Sequence, residues 1–340
     1  MKHRTFFWFV FPSVLAMLLF IAFPIISVVL QSLYVAHEQV IVSVQSCGPF
    51  GCTESTKIDT DATAALRAAQ PLGRWAGLTT YLDRGHLAVS EVAAEWQAAG
   101  STGAFLGRLI NLPFYKAMFF TLSYTFIVTP LTLIFGFAIA VAVNSAARAL
   151  RGPLIFFTLL PMIVTPLVGS LILFWMIDAR GILGAALQWA AGDPDLSVKA
   201  STPLTWIMLM VYGVWHAAPF AFIVYYAGLQ TVNKETLEAA VIDGASRWER
   251  IRYVVLPHLL PLTTFIALIQ LMDNFRVFEP IVSFSAQAHA TSLSWAIYND
   301  LGGETRQLSS AAATSVLTII GVAILLSPVL VRTWRDFSRK

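Results

Sequence analysis

Ala117-Met-Phe-Phe-Thr-Leu-Ser-Tyr-Thr-Phe-Ile-Val-Thr-Pro-Leu-Thr-Leu-Ile-Phe-Gly-Phe-Ala-Ile-Ala-Val-Ala-Val143 is a run of 27 residues without one Asp, Glu, Lys or Arg. About 20 mainly apolar residues in a helix cross the hydrocarbon core of a bilayer, so this run is long enough to span it. Five more stretches qualify: Phe6–Leu30, Pro153–Ile177, Pro203–Leu229, Leu262–Phe284 and Ser310–Val331. Backbone N–H and C=O groups find no water in hydrocarbon, so each stretch must satisfy them internally as a helix. A membrane β-barrel would show alternating strands of about ten residues instead. The sequence therefore predicts an all-α integral membrane protein of about six transmembrane helices. Composition agrees: the 340 residues are 57% hydrophobic and 12% charged, with a mean hydropathy of +0.71. A soluble domain needs far more charge on its surface. Pro12, Pro24, Pro130, Pro166 and Pro219 lie inside these stretches and predict kinks.

The basic residues set the topology. With the N-terminus in the cytoplasm, the cytoplasmic pieces are 1–5, 144–152, 230–261 and 332–340. They hold 12 of the 22 Lys and Arg residues, including Arg148, Arg151, Arg247, Arg250 and Arg252. The positive-inside rule selects this orientation and places the C-terminus in the cytoplasm as well. The apolar run Phe6–Leu30 is too long for a signal-peptide core and has no small-residue cleavage site directly after it, so it reads as a retained anchor. Three parts follow: residues 1–33, the first transmembrane helix; residues 34–116, an enlarged outer loop or small cap with helical stretches at Thr60–Gln70 and Glu91–Ala99; and residues 117–340, a core of five transmembrane helices with a cytoplasmic loop at 230–261. Cys47 and Cys52 flank Gly-Pro-Phe-Gly in the outer loop. They read either as a small disulfide loop or as two reduced thiols. Two thiols alone do not complete a zinc shell, and no metal site is expected.

The cytoplasmic loop contains Thr236-Leu-Glu-Ala-Ala-Val-Ile-Asp-Gly-Ala-Ser-Arg-Trp-Glu-Arg-Ile-Arg-Tyr-Val-Val-Leu-Pro257. It predicts two short helices broken at Gly244. Asn233 caps the first, and Glu235 lies in its opening turn. Gly244 can adopt the backbone that stops a helix. Trp248, Ile251, Val254 and Val255 form an apolar face at helical spacing, and Pro257 ends the second helix.

The run Glu238-Ala239-Ala240, then Gly244, then nine residues, then Val254-Val255-Leu256-Pro257, resembles the cytoplasmic loop signature of ABC importer permeases. Asp243-Gly244-Ala245-Ser246 is similar to the core common in sugar-type members. Phe114-Tyr115 through Asn144 resembles the second span of the maltose-type, first-permease branch for carbohydrate uptake in the binding-protein-dependent transport family. One departure stands out. That branch usually carries Gly-Gly-Pro and a Thr-rich stretch after the fifth span, where this chain has Ser285-Ala-Gln-Ala-His-Ala-Thr-Ser292. The resemblance implies an ATPase-coupling surface formed by Leu237, Glu238, Ala239, Ala240, Asp243, Gly244, Ala245 and Ser246. It also implies a second permease subunit in a heterodimer, two copies of a cytoplasmic ATPase subunit, an external solute-binding protein, and a bacterial inner membrane. The solute it implies is a sugar or polyol. ATP and magnesium belong to the partner ATPase, since this chain has no GxxxxGK[ST] loop to cradle phosphates.

Polar residues inside a span are costly and face the bundle interior or an aqueous path. The fifth stretch holds Gln270, Asp273, Asn274, Arg276 and Glu279. The three charged residues read either as an ion pair that fixes packing, Asp273–Arg276 or Arg276–Glu279, or as part of a solute path. Gln270 and Asn274 share a helix face and are candidates to hydrogen-bond a solute near the midplane. Tyr212, Trp215 and His216 near Pro219 are weaker candidates, because such residues also serve ordinary packing. An ion-gradient transporter or channel is the alternative function. Nothing favours an enzyme or a nucleic-acid binder: the six histidines are scattered, and neither HExxH nor GxSxG occurs.

Overall fold

The computed structural model describes residues 3–38, 40–48, 51–303 and 306–338. Among these, five helices are long and apolar enough to cross a membrane: Phe6–Ser32, Pro113–Ser145, Thr202–Leu229, Arg247–Phe275 and Leu308–Val331. A sixth crossing is made if the pair Arg148–Ile163 and Pro166–Met176, bent by 94°, counts as one span. The six stretches read from hydropathy thus map onto the structure, with two corrections.

The first concerns Pro153–Ile177, read as one stretch with a kink. It is two helices. Thr165 is extended (φ −60°, ψ 144°) and Pro166 opens the second helix. The proline ring disfavours the helical conformation for the residue before it and supplies no N–H, so the chain turns here. The second concerns Leu262–Phe284. The helix stops at Phe275, and a short helix, Glu279–Ser283, follows. Its lower end instead reaches back to Arg247. Pro257 therefore does not end a loop helix. A π-helical turn at Ile251–Val255 runs directly into Leu256, whose N–H bonds the Ile251 carbonyl. The wider turn takes up the mismatch that a helical proline creates.

The chain divides into two compact units. One comprises residues 1–115 and 296–319, the other residues 116–295 and 320–340. In the first, Tyr34–Val35 pairs antiparallel with Arg74–Trp75, and Ile41–Gly48 with Gly51–Ile58. The expected helices are present at Thr60–Ala69 and Val89–Ala98, with Asp59 capping the first through Asp61 N and Ala62 N. The ribbon was not expected, although its Val, Ile and Thr content and the Gly-Pro-Phe-Gly turn are strand signals. Its register sets Cys47 opposite Cys52. The side chains of both cysteines lie outside the described residues. In the same unit the buried His86 ring bonds the Ser310 carbonyl through Nε2 at 3.1 Å, and Ser310 Oγ donates to Asp300 at 2.6 Å.

In the second unit the spans Pro113–Ser145 and Thr202–Leu229 pack closely. A Cβ on Gly136 would stand 2.5 Å from Ala221 Cβ and 2.9 Å from the Phe222 nitrogen. Ala140, Ala221 and Phe222 are fully buried in the cluster at this contact. Lipid tails are as apolar as leucine, so helices associate by close van der Waals packing, and small residues permit it. We predict that Gly136→Leu forces the two helices apart and costs about 1–3 kcal/mol, the range for overpacking a tight core. Thermal unfolding of the detergent-purified protein will show a lower Tm, while Gly152→Ala, facing open space, leaves it unchanged.

Candidate functional site

Two regions gather the candidate residues. The first is the elbow between the spans Thr202–Leu229 and Arg247–Phe275. Asn233 Oδ1 accepts from the Glu235 N–H at 2.8 Å and opens the helix Lys234–Ile242. That helix closes at Gly244, whose φ is +82°. Gly244 N donates to the Val241 carbonyl at 3.0 Å and Ala245 N to the Ala240 carbonyl at 2.9 Å. These two bonds make the Schellman arrangement, which needs a left-handed residue and favours glycine. The chain then restarts through a capping box. Ser246 N donates to Glu249 Oε2 at 2.7 Å, and Glu249 N donates to Ser246 Oγ at 3.3 Å. The backbone of the turn is thus held by bonds between neighbours in sequence.

The elbow's outer surface is open. Glu238, Ala239, Asp243, Gly244 and Ser246 are exposed, and Leu237, Ala240 and Ala245 are half-buried. Large apolar side chains stand out beside them, with Ile242 85% and Trp248 67% exposed. The expected apolar face of Trp248, Ile251, Val254 and Val255 is therefore split: Val255 is buried while Trp248 points out. The π-helical turn between them adds a residue and rotates the helix face, which a regular 3.6-residue count does not anticipate.

The second region is a cleft of about 560 Å³ in the unit formed by residues 116–295 and 320–340. All five polar candidates of the fifth stretch line it: Gln270, Asp273, Asn274, Arg276 and Glu279. They come from three local structures. Gln270, Asp273 and Asn274 are on the span, Arg276 caps its end, and Glu279 opens the short helix that follows. Arg276 pairs with Asp273 at 2.7 Å, and both side chains are more than half exposed. That settles which pair forms. Such an open pair adds little to stability. The Glu279 carboxylate has no ion-pair or hydrogen-bond partner among the described residues. Asn274 is buried and donates through Nδ2 to Thr129 Oγ1 at 3.0 Å. Gln270 is only 5% exposed, lines the cleft, and finds no partner for its amide among the described residues.

Sequence reasoning missed the partners on the facing span. Thr121, Thr125, Thr129 and Thr132 are buried in a row along Pro113–Ser145. Thr129 holds Asn274, and Thr121 Oγ1 accepts from the Leu293 N–H at 3.1 Å. The spacing of four between Thr121, Thr125 and Thr129 was a visible signal. Tyr212 and His216 also line the cleft, whereas Trp215 does not. Beyond the cleft, Lys199 Nζ pairs with Asp178 at 2.8 Å and lies 3.3 Å over the Phe174 ring. The Lys199 hydrogen bond, with that from the Arg180 N–H, holds the Asp178 carboxyl below the usual carboxylate range. No group of three His, Cys, Asp or Glu side chains among the described residues is placed to hold a metal.

A bundle of broken and continuous spans, with an exposed capped elbow two spans from its C-terminal end, is the architecture of an importer permease. The chain belongs to the family of binding-protein-dependent transport system inner membrane components, whose pattern matches residues 102–335. It is a multi-pass transport subunit of the ABC importer class rather than an enzyme, and in this class the ATPase is a separate subunit. The chain is 27% identical over 229 residues to the trehalose/maltose transport system permease protein MalF of Thermococcus litoralis, covering 64% of this chain and 73% of that one. It is 27% identical over 231 residues to the inner membrane ABC transporter permease protein YcjO of Escherichia coli, covering 64% and 75%. It is 30% identical over 205 residues to the sn-glycerol-3-phosphate transport system permease protein UgpA of Rhizobium meliloti, covering 58% and 69%. Its fold matches a chain of a bacterial ABC transporter involved in alginate import, with a TM-score of 0.60 at 19% identity, covering 80% of this chain and 95% of that one.

The capping box yields a local prediction. Ser246→Ala removes the acceptor of the Glu249 N–H and costs about 1 kcal/mol of local stability. Hydrogen exchange of the Arg247–Arg250 turn will speed up by roughly fivefold, with the spans unaffected.

Proposed function

We propose that this chain forms half of the translocation pore of a sugar or polyol importer, with the elbow as its contact to the ATPase and the cleft as part of the solute path. The single observation that carries the coupling role is the elbow itself. Its shape is fixed by local caps, yet Val241, Ile242 and Trp248 are left uncovered. Apolar side chains that large on a rigid turn favour a protein partner. In this reading N- and C-termini and the elbow face the cytoplasm of a bacterial cell. Leu237, Glu238, Ala239, Ala240, Asp243, Gly244, Ala245 and Ser246 form the docking surface, and Glu238 is its exposed polar contact. ATP and magnesium act on the partner subunit. A second permease completes the pore, two ATPase copies drive it, and an external binding protein delivers the solute.

The solute class rests on relatives named for trehalose, maltose and glycerol phosphate, and on the chemistry of the cleft. Gln270 lines the cleft with an amide that has no partner among the described residues and can exchange hydrogen bonds with hydroxyl groups. Asp273, Asn274, Arg276 and Glu279 extend the same polar wall.

Two experiments test the two roles separately. Gly244→Trp places a bulky side chain where φ is +82° and is expected to abolish ATP-driven uptake while membrane insertion stays normal, as read by uptake and by pull-down of the ATPase. Normal transport by this variant removes the elbow from the mechanism. Gln270→Ala with Asn274→Ala should lower uptake of the sugar carried by the binding protein roughly tenfold, with the ATPase still co-purifying. Unchanged flux and solute affinity exclude the cleft.

A further inference from the structure

The broken span poses a hydrogen-bonding problem, and the span Thr202–Leu229 answers it at the Pro161 carbonyl. In an unbroken helix the Thr165 N–H would bond the Pro161 carbonyl, and an N–H at position 166 would bond the Met162 carbonyl. Thr165 is extended and Pro166 has no N–H, so the break removes both. An orphan carbonyl in apolar surroundings is costly. The Pro161 carbonyl instead meets His216 Nδ1 at 3.0 Å. A carbonyl only accepts, so Nδ1 carries the hydrogen and donates. On the far side of the bend, the Pro166 carbonyl accepts from Tyr212 Oη at 2.8 Å and from Ser170 Oγ at 2.6 Å.

Tyr212 and His216 are one turn apart on the same helix. Their rings stack with centroids 5.8 Å apart and planes 6° from parallel. Tyr212 is fully buried, and a Cβ on Gly169 would come within 2.9 Å of its hydroxyl. One stiff pair of rings thus bonds one carbonyl on each side of a 94° bend. Met162 and Pro166, which flank the bend, line the cleft together with Tyr212 and His216.

We propose that Tyr212 and His216 are positioning residues of the transport cycle, a clamp that holds the bend between Arg148–Ile163 and Pro166–Met176 and so keeps the Met162–Pro166 wall of the cleft in place. The importance of that wall rests on the reading of the cleft as part of the solute path; the clamp itself rests on the two hydrogen bonds from Tyr212 and His216. The clamp dictates a ring tautomer. With hydrogen on Nδ1, the neutral His216 ring keeps its lone pair at Nε2, and in that form any contact it makes with a solute is as an acceptor.

The test compares His216→Asn with His216→Gln in the assembled transporter, reconstituted in lipid nanodiscs. The Asn amide nitrogen stands near the place of Nδ1, and the Gln amide reaches toward the place of Nε2. Spin labels on Phe157→Cys and Ile172→Cys, both exposed and on opposite sides of the bend, report its geometry. A clamp predicts one narrow distance distribution for the parent and for His216→Asn, and a broadened one for His216→Gln, His216→Ala and Tyr212→Phe. ATP hydrolysis by the same assemblies should stay within about twofold of the parent for His216→Asn and fall roughly tenfold in kcat for His216→Gln, at unchanged KM for ATP. Nitrogen NMR on histidine-labelled protein should find the His216 hydrogen on Nδ1. Rescue by Gln rather than Asn, a hydrogen on Nε2, or a distribution that stays narrow in every variant overturns the clamp. Failure of the solute-path reading looks different: Gln270→Ala with Asn274→Ala leaves solute uptake untouched, while the distance data still follow the clamp.

Discussion

Every backbone N–H and C=O placed in hydrocarbon has to find its partner within the protein, and the architecture of this chain follows from that constraint. It forces the apolar stretches into helices. It also decides how their prolines are accommodated. Where Pro257 interrupts the ladder, a π-helical turn at Ile251–Val255 absorbs the mismatch and the helix continues to Phe275. At Thr165-Pro166 the helix gives way altogether; His216 from another span supplies the donor missing at the Pro161 carbonyl, and Tyr212 bonds the Pro166 carbonyl beyond the bend. The two outcomes differ because the first proline leaves one carbonyl to be repaired within the helix, while the second sits after an extended residue and leaves the helix axis free to turn.

The continuity of Arg247–Phe275 has a mechanical consequence. One end is the capped elbow, and the other carries Gln270, Asp273 and Asn274 into the cleft. A single helix of 29 residues therefore joins the surface proposed to meet the ATPase to the residues proposed to meet the solute. The caps at Gly244 and Ser246 fix the angle at which the elbow enters it.

Polar side chains in the bundle follow the same rule as the backbone. Asn274 is buried and paired with Thr129, so it serves packing as well as lining the cleft. Asp273 and Arg276 neutralise each other in the open. Gln270 is 5% exposed and makes no side-chain hydrogen bond among the described residues, and Glu279 lines the same cleft outside the Asp273–Arg276 pair.

Hydropathy by itself determined the number and approximate placement of the spans, because burial in hydrocarbon is a property of composition over about 20 residues. The elbow was legible down to Asn233 and Gly244, because caps and left-handed turns are set by neighbours in sequence. Its Glu249–Ser246 box was equally local and was overlooked. The ends of the fifth span, the rotation of Trp248 away from Val255, and the 94° bend were decided only by tertiary structure. Each depends on whether a proline's missing hydrogen bond is made good by a wider turn or by a distant side chain. That choice sets Tyr212 and His216 beside Pro166 and Pro161, 46 and 55 residues away in sequence, and no local pattern encodes such a pairing.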